Sequence, residues 1–341
     1  MSKDCLVTFS PRFDLLSKAF VEKDRSHDDR PFLMPAPPRI LIAGCGYLGR
    51  SLGEIWQQHG LSVLGVTRSP ESAETLRKTG WEARALDIAN VAECLALADQ
   101  MQDIDMIVHC AASGRGGGET EYAAVYLDGT AHLQRAFPAA RLFFTSSTSV
   151  YPQVDGAEIT ELCPAQPHRG TGKILRRAED GVLAAGGTVL RLAGIYGPDR
   201  SVLLRNFLNG SATIDVRHAP PQSPDGRWIN QIHRTDAIAA IRHLQTLPPS
   251  VTAGEIFNVT DSQPLTQREV YEFLAMQFSR PLPPESHPDE TRKRGWTNKR
   301  ISNAKLRTTG WSPCFPSYFA ALENDPALIP SILAQLESGG T

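Results

Sequence analysis

One segment, "RILIAGCGYLGRS" at residues 39–51, constrains the fold more than any other part of the chain. Its first five residues are mostly apolar and predict a buried strand, and three glycines follow. In a strand–turn–helix unit, G-x-G-x-x-G gives a tight turn, a close approach of the backbone to a pyrophosphate, and close packing of helix on strand. The helix N-terminus also favours an anion. We therefore predict a dinucleotide site here; a glycine-rich turn without a ligand is the alternative. The predicted contacts are Gly44, Gly46, Tyr47, Leu48 and Gly49.

Short runs rich in Ile, Val and Leu alternate with helix-like segments from residue 39 onward. The runs lie at 39–43, 62–66, 82–86, 105–110, 141–145 and 187–192. The helix-like segments lie at 47–59, 70–78, 91–99, 119–136 and 171–185. This alternation predicts parallel strands joined by crossover helices, and hence an α/β fold with a doubly wound parallel (Rossmann) sheet. Ligands of such sheets bind beyond the carboxyl ends of the strands.

The alternation weakens after residue 193. A helix is predicted at 233–247 with Thr235 as its N-cap, a strand within 254–261, and a helix at 266–278 that carries a Thr266–Glu269 capping box. We predict three parts. Residues 1–37 form a mobile tail, with packing as an extra arm as the alternative. Residues 38–193 and 231–261 form the dinucleotide-binding domain, and residues 194–230 and 262–341 form a smaller, irregular substrate lobe.

Charge and cysteine content exclude several classes of protein. The net charge is −2, which does not attract the chain to nucleic acid or to a membrane surface. No apolar run reaches the length of a membrane span. The six cysteines include no C-x-x-C pair, which argues against a zinc site or a disulfide framework and is typical of a reducing compartment. We therefore expect a cytoplasmic protein with a small-molecule substrate and no metal.

The end of the second predicted strand indicates which dinucleotide binds. A site selective for NAD places an acidic residue there to bind the ribose 2′-hydroxyl. Here the strand is followed by Thr67, Arg68 and Ser69, and no acid occurs before Glu71. Arginine can bind a 2′-phosphate through two hydrogen bonds. We predict that Arg68 selects NADP, with NAD as the weaker ligand; the alternative is that Arg68 is a solvated loop residue.

Further segments, taken together, carry a family resemblance. They are "LDI" at 86–88, "VHCAA" at 108–112, "FFTSSTSVY" at 143–151, "VLRLAGIYGP" at 189–198, and later "INQIHRTDAIAAI" and "IFNVTD". In this order they resemble the extended short-chain dehydrogenase/reductase superfamily of NAD(P)-dependent epimerases and dehydratases, over about residues 39–325. The GxGYLG form is similar to that of atypical members.

The resemblance assigns roles to individual residues. It implies that Asp87 and Ile88 flank the adenine, and that Ala111 and Ala112 line the ribose and the pyrophosphate. It also implies that Ser147, four residues before Tyr151, is the catalytic hydroxyl that bonds the substrate oxygen. A turn cap is the alternative role of Ser147. Family members often pair through helices that flank the sheet, so the resemblance also implies a possible homodimer.

The Tyr-x-x-x-Lys pair of this family is incomplete here. In "PHRGTGKILRRAED", Lys173 fits the lysine position and would hold the nicotinamide ribose, but Arg169 stands four residues earlier and cannot exchange a proton near neutral pH. Tyr126 stands where the family has a helix asparagine. Three interpretations stay open, and we favour the first.

The first interpretation is an oxidoreductase or epimerase/dehydratase in which Tyr126 or Tyr151 supplies a phenol and Arg169 or His168 stabilises an oxyanion. The second is an NADP(H)-binding sensor or assembly protein without turnover. The third is a reductase in which water or the substrate supplies the proton.

Two other segments each allow either a functional role or a role without ligand binding. The loop "SGRGGGE" at 113–119 is either a lid in which Arg115 binds an anion or a flexible connector. The basic stretch 290–307, with Trp296, suggests an anionic substrate such as a nucleotide-sugar, or a solvated face. His233 precedes a helix, and we expect it to be structural.

Overall fold

A parallel sheet of seven strands forms the centre of the protein. The computed structural model describes residues 38–101, 103–114, 118–216, 227–287 and 296–339. The strands of the sheet are β1 (Arg39–Ala43), β2 (Ser62–Thr67), β3 (Glu82–Ala85), β4 (Met106–His109), β5 (Arg141–Ser147), β6 (Thr188–Leu192) and β7 (Ile256–Val259). Their order across the sheet is β7-β6-β5-β4-β1-β2-β3, and every neighbouring pair is parallel. The doubly wound α/β fold predicted from the sequence is confirmed.

Helices connect the strands and cover both faces of the sheet. They are α1 (Gly49–Gln58), α2 (Pro70–Lys78), α3 (Val91–Gln100), α4 (Glu119–Ala123), α5 (Gly129–Ala136), α6 (Gly170–Ala184), α7 (Val202–Leu208), α8 (Arg234–Thr246), α9 (Pro249–Thr252), α10 (Gln267–Phe278), α11 (Ala304–Thr308), α12 (Tyr318–Asn324) and α13 (Leu328–Ser338). Apolar side chains of β1 point alternately to two buried clusters. Ile40 and Ile42 contact the cluster that holds Trp56 of α1, and Leu41 contacts the cluster that holds Leu175 of α6.

The carboxyl end of β1 lies at the point where the strand order reverses. β1 pairs on one side with β2, with Ile40 opposite Val63, and on the other side with β4, with Ile40 opposite Met106. Chains leaving β1 and β4 therefore diverge to opposite faces and leave a crevice between them. The G-x-G-x-x-G turn lies at this crevice.

The chain beyond the main sheet adds a third apolar cluster and short strand pairs. Helices α7, α10, α12 and α13 pack around residues that include Leu204, Tyr271 and Ile332. The short strands pair as Gly194–Tyr196 with Gln231–His233, Ile214–Asp215 with Glu285–Ser286, Trp228–Ile229 with Leu265–Thr266, and Glu158–Ile159 with Arg300–Ile301. The described residues from Pro38 onward form one compact unit. The division into two lobes stays a prediction, and the predicted tail at 1–37 lies outside the described residues.

Two local predictions are corrected by the structure. The helix predicted at 119–136 contains a π-helical segment at Ala124–Asp128, which separates α4 from α5. The N-cap of α8 is His233 rather than Thr235, because the His233 ring accepts a hydrogen bond from the Thr235 N–H. The Thr266–Glu269 capping box of α10 is confirmed. In the described part of the chain, no helix combines the length and the apolarity that a membrane crossing requires.

Candidate functional site

A cavity of about 470 Å³, here called the first cavity, lies at the carboxyl ends of the central strands. Its walls come from the turns after β1 to β6 and from the π-helical segment. Among the residues lining it are Gly44, Gly46, Tyr47, Leu48, Arg68, Asp87, Ile88, Ala111, Ala112, Tyr126, Ser147 and Leu175. Of the residues predicted to bind the cofactor or to act in catalysis, all but Gly49, Tyr151, His168, Arg169 and Lys173 line this cavity.

The three glycines of the turn have different surroundings. Gly44 has φ of +99°, and a Cβ there would lie 2.3 Å from the Ala111 backbone nitrogen. A Cβ on Gly49 would lie 2.2 Å from the Gly44 carbonyl oxygen. Gly46 differs, because a Cβ there would meet no atom within 4 Å. Gly44 and Gly49 are therefore required by packing, whereas Gly46 leaves open space at the wall of the cavity.

Helix α1 presents its N-terminus to that space. Leu48 is the cap residue, and it makes no side-chain capping bond. The first backbone N–H groups of a helix carry a partial positive charge and attract anions. The open space at Gly46 and the uncapped helix start fit the pyrophosphate of a dinucleotide. The nicotinamide ring of a bound dinucleotide would accept or donate a hydride.

Arg68 lies at the end of β2, as the sequence predicts. Its side chain is 69% exposed, lines the first cavity, and contacts the Glu121 carboxylate at 3.5 Å. An exposed ion pair at this distance is weak and easily rearranged. The Arg68 guanidinium is therefore available to an anionic ligand in the cavity.

Asp87 and Ile88 form the opposite wall. The Asp87 N–H donates to the Glu93 carboxylate at 2.9 Å, and the Asp87 carboxylate accepts a bond from the Ala89 N–H at 3.0 Å. Ile88 is buried against α5, where a Cβ on Gly129 would lie 2.8 Å from its side chain. These contacts fix a loop that offers one carboxylate and one apolar side chain to the cavity.

Cys45 and Cys110 also line the first cavity. Both are half-buried, whereas Cys94 is buried away from it. Burial raises the pKa of the Cys45 thiol to about 12 and raises that of Cys110 further. Both groups therefore stay protonated and act as small apolar surface.

Ser147 lies where the first cavity meets a second. It is the last residue of β5, and its Oγ accepts a hydrogen bond from the Ser149 N–H at 3.2 Å. A second cavity of about 570 Å³ extends from Ser147 towards α7 and α10, and Ile195 and Arg200 also line both. Because Ser147 accepts a bond through Oγ, its hydroxyl hydrogen is free to bond an oxygen in either cavity.

The second cavity is polar and cationic. Its charged lining residues in the described part of the chain are Arg200, Arg227 and Lys299, with no Asp or Glu among them. The Arg227 guanidinium bonds the buried Asp215 carboxylate at 2.9 Å and the Thr297 carbonyl at 2.9 Å, which fixes its position. Neutral polar groups complete the walls, among them Asn206, Thr213, Asn230, Gln231 and Gln267.

Lys299 is a site residue that the sequence analysis missed. It is only 3% exposed, yet it lines the second cavity. Burial lowers the pKa of its amine to about 7, with a smaller contribution from the positive charge of Arg227. The sequence signal was the basic stretch at 290–307, but nothing in that stretch distinguishes Lys299 from its other basic residues, such as the half-buried Arg300 and the exposed Arg307.

The structure does not bring Lys173 to either cavity. Its side chain is exposed, and among the described residues of α6 it is Leu175 that lines the first cavity. The residue one turn before Leu175 on the same face is Thr171. Lys173 is two positions away from Leu175, which places it about 200° around the helix. Among the described residues of α6, Leu175 therefore lines the first cavity and cannot exchange a proton, whereas Thr171 lies on the same helix face but lines neither cavity.

The two predicted phenols have different positions. Tyr126 lines the first cavity, with its ring 4.4 Å from that of Tyr122. Tyr151 is fully buried and lines neither cavity. Its hydroxyl donates to the Asn258 side chain at 3.0 Å and accepts from Arg191 at 2.7 Å. The structure therefore gives Tyr151 a packing role.

The other predicted polar groups lie outside the cavities. His168 and Arg169 are exposed before the start of α6, and neither lines a cavity in the described part of the chain. His233 caps α8 and contacts the Asp325 carboxylate at 3.0 Å, in agreement with its expected structural role. Arg115 of the predicted lid lies outside the described residues. Of the basic stretch, only residues from Trp296 onward are described.

A buried histidine supports the π-helical segment beside the first cavity. His109 ends β4, and its Nε2–H donates to the Val125 carbonyl at 3.0 Å. Burial lowers the pKa of His109 to about 4, so the ring is neutral. The Thr130 hydroxyl donates to the Tyr126 and Leu127 carbonyls in the same segment. These bonds satisfy carbonyl groups that the π-helical turn frees, and they position Tyr126.

Comparisons with known proteins agree with this geometry. The model of the "NAD dependent epimerase/dehydratase family" matches residues 40–259. Protein YeeZ of Escherichia coli K12 is 28% identical over 225 residues, which cover 65% of this chain and 77% of YeeZ. A solved structure from Methylobacillus flagellatus, provisionally assigned as an NAD-dependent epimerase/dehydratase, is 27% identical with a TM-score of 0.63, and the match covers 88% of this chain and 99% of that one.

A more distant structure shares the fold alone. UDP-glucose 4-epimerase of Thermus thermophilus, solved in complex with NAD, has a TM-score of 0.69 at 18% identity. The match covers 86% of this chain and 99% of the epimerase.

Proposed function

The chain belongs to the NAD-dependent epimerase/dehydratase family, and we propose that it is an oxidoreductase that binds NADP(H) in the first cavity and an anionic small molecule in the second. The observation that carries this proposal is the position of Ser147, which lines both cavities. A hydroxyl at that junction can bond a substrate oxygen while the reacting carbon faces the first cavity. A cytoplasmic location, a homodimer and the absence of nucleic-acid and membrane partners stay predictions from the sequence.

The preference for NADP rests on Arg68. Its exposed guanidinium lies at the end of β2, where an arginine can bind a 2′-phosphate. The Thermus epimerase was solved with NAD, so the comparison supports a nicotinamide dinucleotide and leaves the phosphorylated form to the proposal.

The charge of the second cavity supports an anionic substrate. Arg200, Arg227 and Lys299 line it, and among the described residues no carboxylate lines it, although Arg227 is bonded to the buried Asp215 behind the wall. A phosphate or carboxylate entering this cavity would therefore lie among positively charged groups that attract it. A nucleotide-sugar is one such substrate class, and UDP-glucose, the substrate named for the Thermus relative, belongs to it.

Different residues of the chain serve different parts of the proposed reaction. Ser147 donates a hydrogen bond to the substrate oxygen and stabilises it as negative charge develops. Leu175, the described residue of α6 that lines the first cavity, does not supply the proton, since its side chain has no ionisable group. The proton must come from another group that faces the substrate or from water.

The position of Leu175 of α6 at the wall of the first cavity also supports a second candidate function. A protein that binds NADP(H) without turnover, as a sensor or assembly component, needs the first cavity but not a proton-exchanging pair. Leu175 in the cavity is compatible with that function.

One assay distinguishes an oxidoreductase from a protein that binds NADP(H) without turnover. The purified chain is incubated with NADPH and a panel of carbonyl compounds that carry phosphate, carboxylate or nucleotide groups, and absorbance at the dihydronicotinamide band is followed. We expect consumption of NADPH with at least one anionic compound, and a loss of about a hundredfold in Ser147→Ala with NADPH affinity retained. Retained NADPH binding with no turnover across the panel would favour the binding-only function.

A further inference from the structure

Lys299 occupies an unusual position for a lysine. It immediately precedes the strand Arg300–Ile301, which pairs with Glu158–Ile159, and its side chain is buried. Its Nζ donates a hydrogen bond to the backbone carbonyl of Tyr151. Lysine is rarely buried in folded proteins unless it is paired or has a function. No carboxylate lies among the described residues that share its cavity, so ion pairing does not explain its burial.

The carbonyl that anchors Lys299 belongs to the turn that carries Ser147. The turn begins at Ser147, continues through the 3₁₀ segment Thr148–Val150, and closes with a hydrogen bond from the Tyr151 N–H to the Thr148 carbonyl at 3.3 Å. Ser147 and Lys299 both line the second cavity. One short turn therefore fixes a hydroxyl and an amine on the wall of the same space.

The charges around Lys299 favour an amine that can lose its proton. Arg227 and Arg200 line the same cavity and carry the same sign, and Asp215 is bonded to Arg227. Among the described lining residues, the titratable phenols are Tyr196 and Tyr271. Burial raises the pKa of Tyr196, so that phenol stays neutral. With its pKa lowered to about 7, the Lys299 amine exists in both forms near neutral pH, which suits general acid–base catalysis.

We propose that Lys299 is the residue that exchanges a proton with the substrate, in place of the tyrosine that this chain lacks on α6. This inference rests on the function proposed above. In the direction of reduction, the substrate carbonyl carbon gains a hydride, with its electron pair, from a dihydronicotinamide. The carbonyl oxygen takes the proton of the Lys299 ammonium group, and an alcohol forms. The neutral amine then regains a proton from water, and oxidation runs through the same transfers in reverse.

Trace acetylation tests the protonation state of the Lys299 amine and does not depend on catalytic turnover. The intact full-length chain is exposed briefly to acetic anhydride at pH 5 to 10, and mass spectrometry measures labelling of the peptide that holds Lys299. Lys78 and Lys173, exposed on α2 and α6, report reagent activity. We expect half-maximal labelling of Lys299 near pH 7. A residue that stays unlabelled at every pH, or labels only above about pH 9, would overturn the proposal.

Variants test the role in proton transfer. Lys299→Arg keeps the charge and a hydrogen-bond donor for the Tyr151 carbonyl but cannot lose its proton near neutral pH. We expect it to bind NADPH within about twofold of wild type, to lose about a hundredfold or more in kcat, and to lose the limb of the pH–rate profile near pH 7. Wild-type kcat with an unchanged profile would refute the proposal.

These readouts separate the failure of this inference from failure of the proposed function. If NADPH binding or turnover is missing in the wild-type chain, the proposed function fails, and the acetylation profile still reports on Lys299. If wild-type turnover is present and Lys299→Arg retains it, only the inference on Lys299 fails.

Discussion

Arg191 and Glu179 form a two-bond ion pair inside the protein, with nitrogen–oxygen distances of 2.7 and 3.0 Å and almost no solvent exposure of either side chain. Arg191 lies on β6 and Glu179 on α6. The Ser146 hydroxyl donates to the same carboxylate at 2.5 Å. The pair therefore ties the helix and two strands together directly beside Ser147, and it holds the junction of the two cavities in place.

Removal of one charge from this pair should destabilise the fold strongly. In Glu179→Gln, Arg191 remains buried without its carboxylate, and we expect a loss of about 3 to 5 kcal/mol in the free energy of unfolding. Urea denaturation measures it. Glu74→Gln is the matched control, because the exposed Arg77–Glu74 pair contributes at most about 1 kcal/mol. Equal losses in the two variants would show that the buried pair stabilises the fold no more than an exposed pair does.

Arg68 should control the choice between the two dinucleotides. In Arg68→Ala we expect NADPH affinity to fall by about tenfold to a hundredfold, because a charge-assisted contact with the 2′-phosphate is lost, while NADH affinity stays within about twofold. Fluorescence titration of the two reduced dinucleotides measures both. Arg77→Ala, on α2 and outside the described cavity lining, should change neither. A parallel loss for NADPH and NADH would contradict the role given to Arg68.

His109 should make stability depend on pH. The unfolded chain binds a proton on this ring below about pH 6.5, whereas the folded chain binds it only near pH 4, so acidification through this range favours unfolding. The contribution is complete above pH 6.5 and falls by up to about 1.4 kcal/mol per pH unit towards pH 4. His109→Gln keeps a donor for Val125 but does not titrate. We expect the free energy of unfolding of wild type minus that of this variant, both from urea unfolding, to be lower at pH 5 than at pH 7.5. A difference that is equal at both values would refute the assignment.

The sequence predicted the sheet well because its signals are local. Buried parallel strands read as short apolar runs, and the G-x-G-x-x-G turn marks the first crossover. The strand bounds agree with the predicted runs to within a few residues, for example Arg141–Ser147 against 141–145. The turn residues Gly44 and Gly49 lie where backbone packing excludes a side chain, and such a requirement is visible in the sequence.

The sequence was a poor guide to which titratable side chains line the cavities, because this depends on tertiary position. Lys173 matched a spacing of four, but the helix faces the cavity with Leu175, and a shift of two residues reverses the face. Tyr151 carries a phenol close in sequence to Ser147, yet its side chain points into the core. Lys299 reaches the cavity through the pairing of Arg300–Ile301 with Glu158–Ile159, a contact between distant segments that no local pattern indicates.

On the proposed function, the first cavity binds a pyridine dinucleotide against Gly46. Isothermal titration calorimetry with NADPH, NADP, NADH and NAD tests it most directly, with wild type, Gly46→Ala and Gly181→Ala compared. A Cβ meets no atom within 4 Å at either glycine, so neither substitution disturbs packing, and only Gly46 lines the cavity. We predict that wild type and Gly181→Ala bind with equal affinity and that Gly46→Ala binds about tenfold or more weakly. The absence of heat with all four dinucleotides in wild type, or equal binding by all three proteins, would contradict the claim.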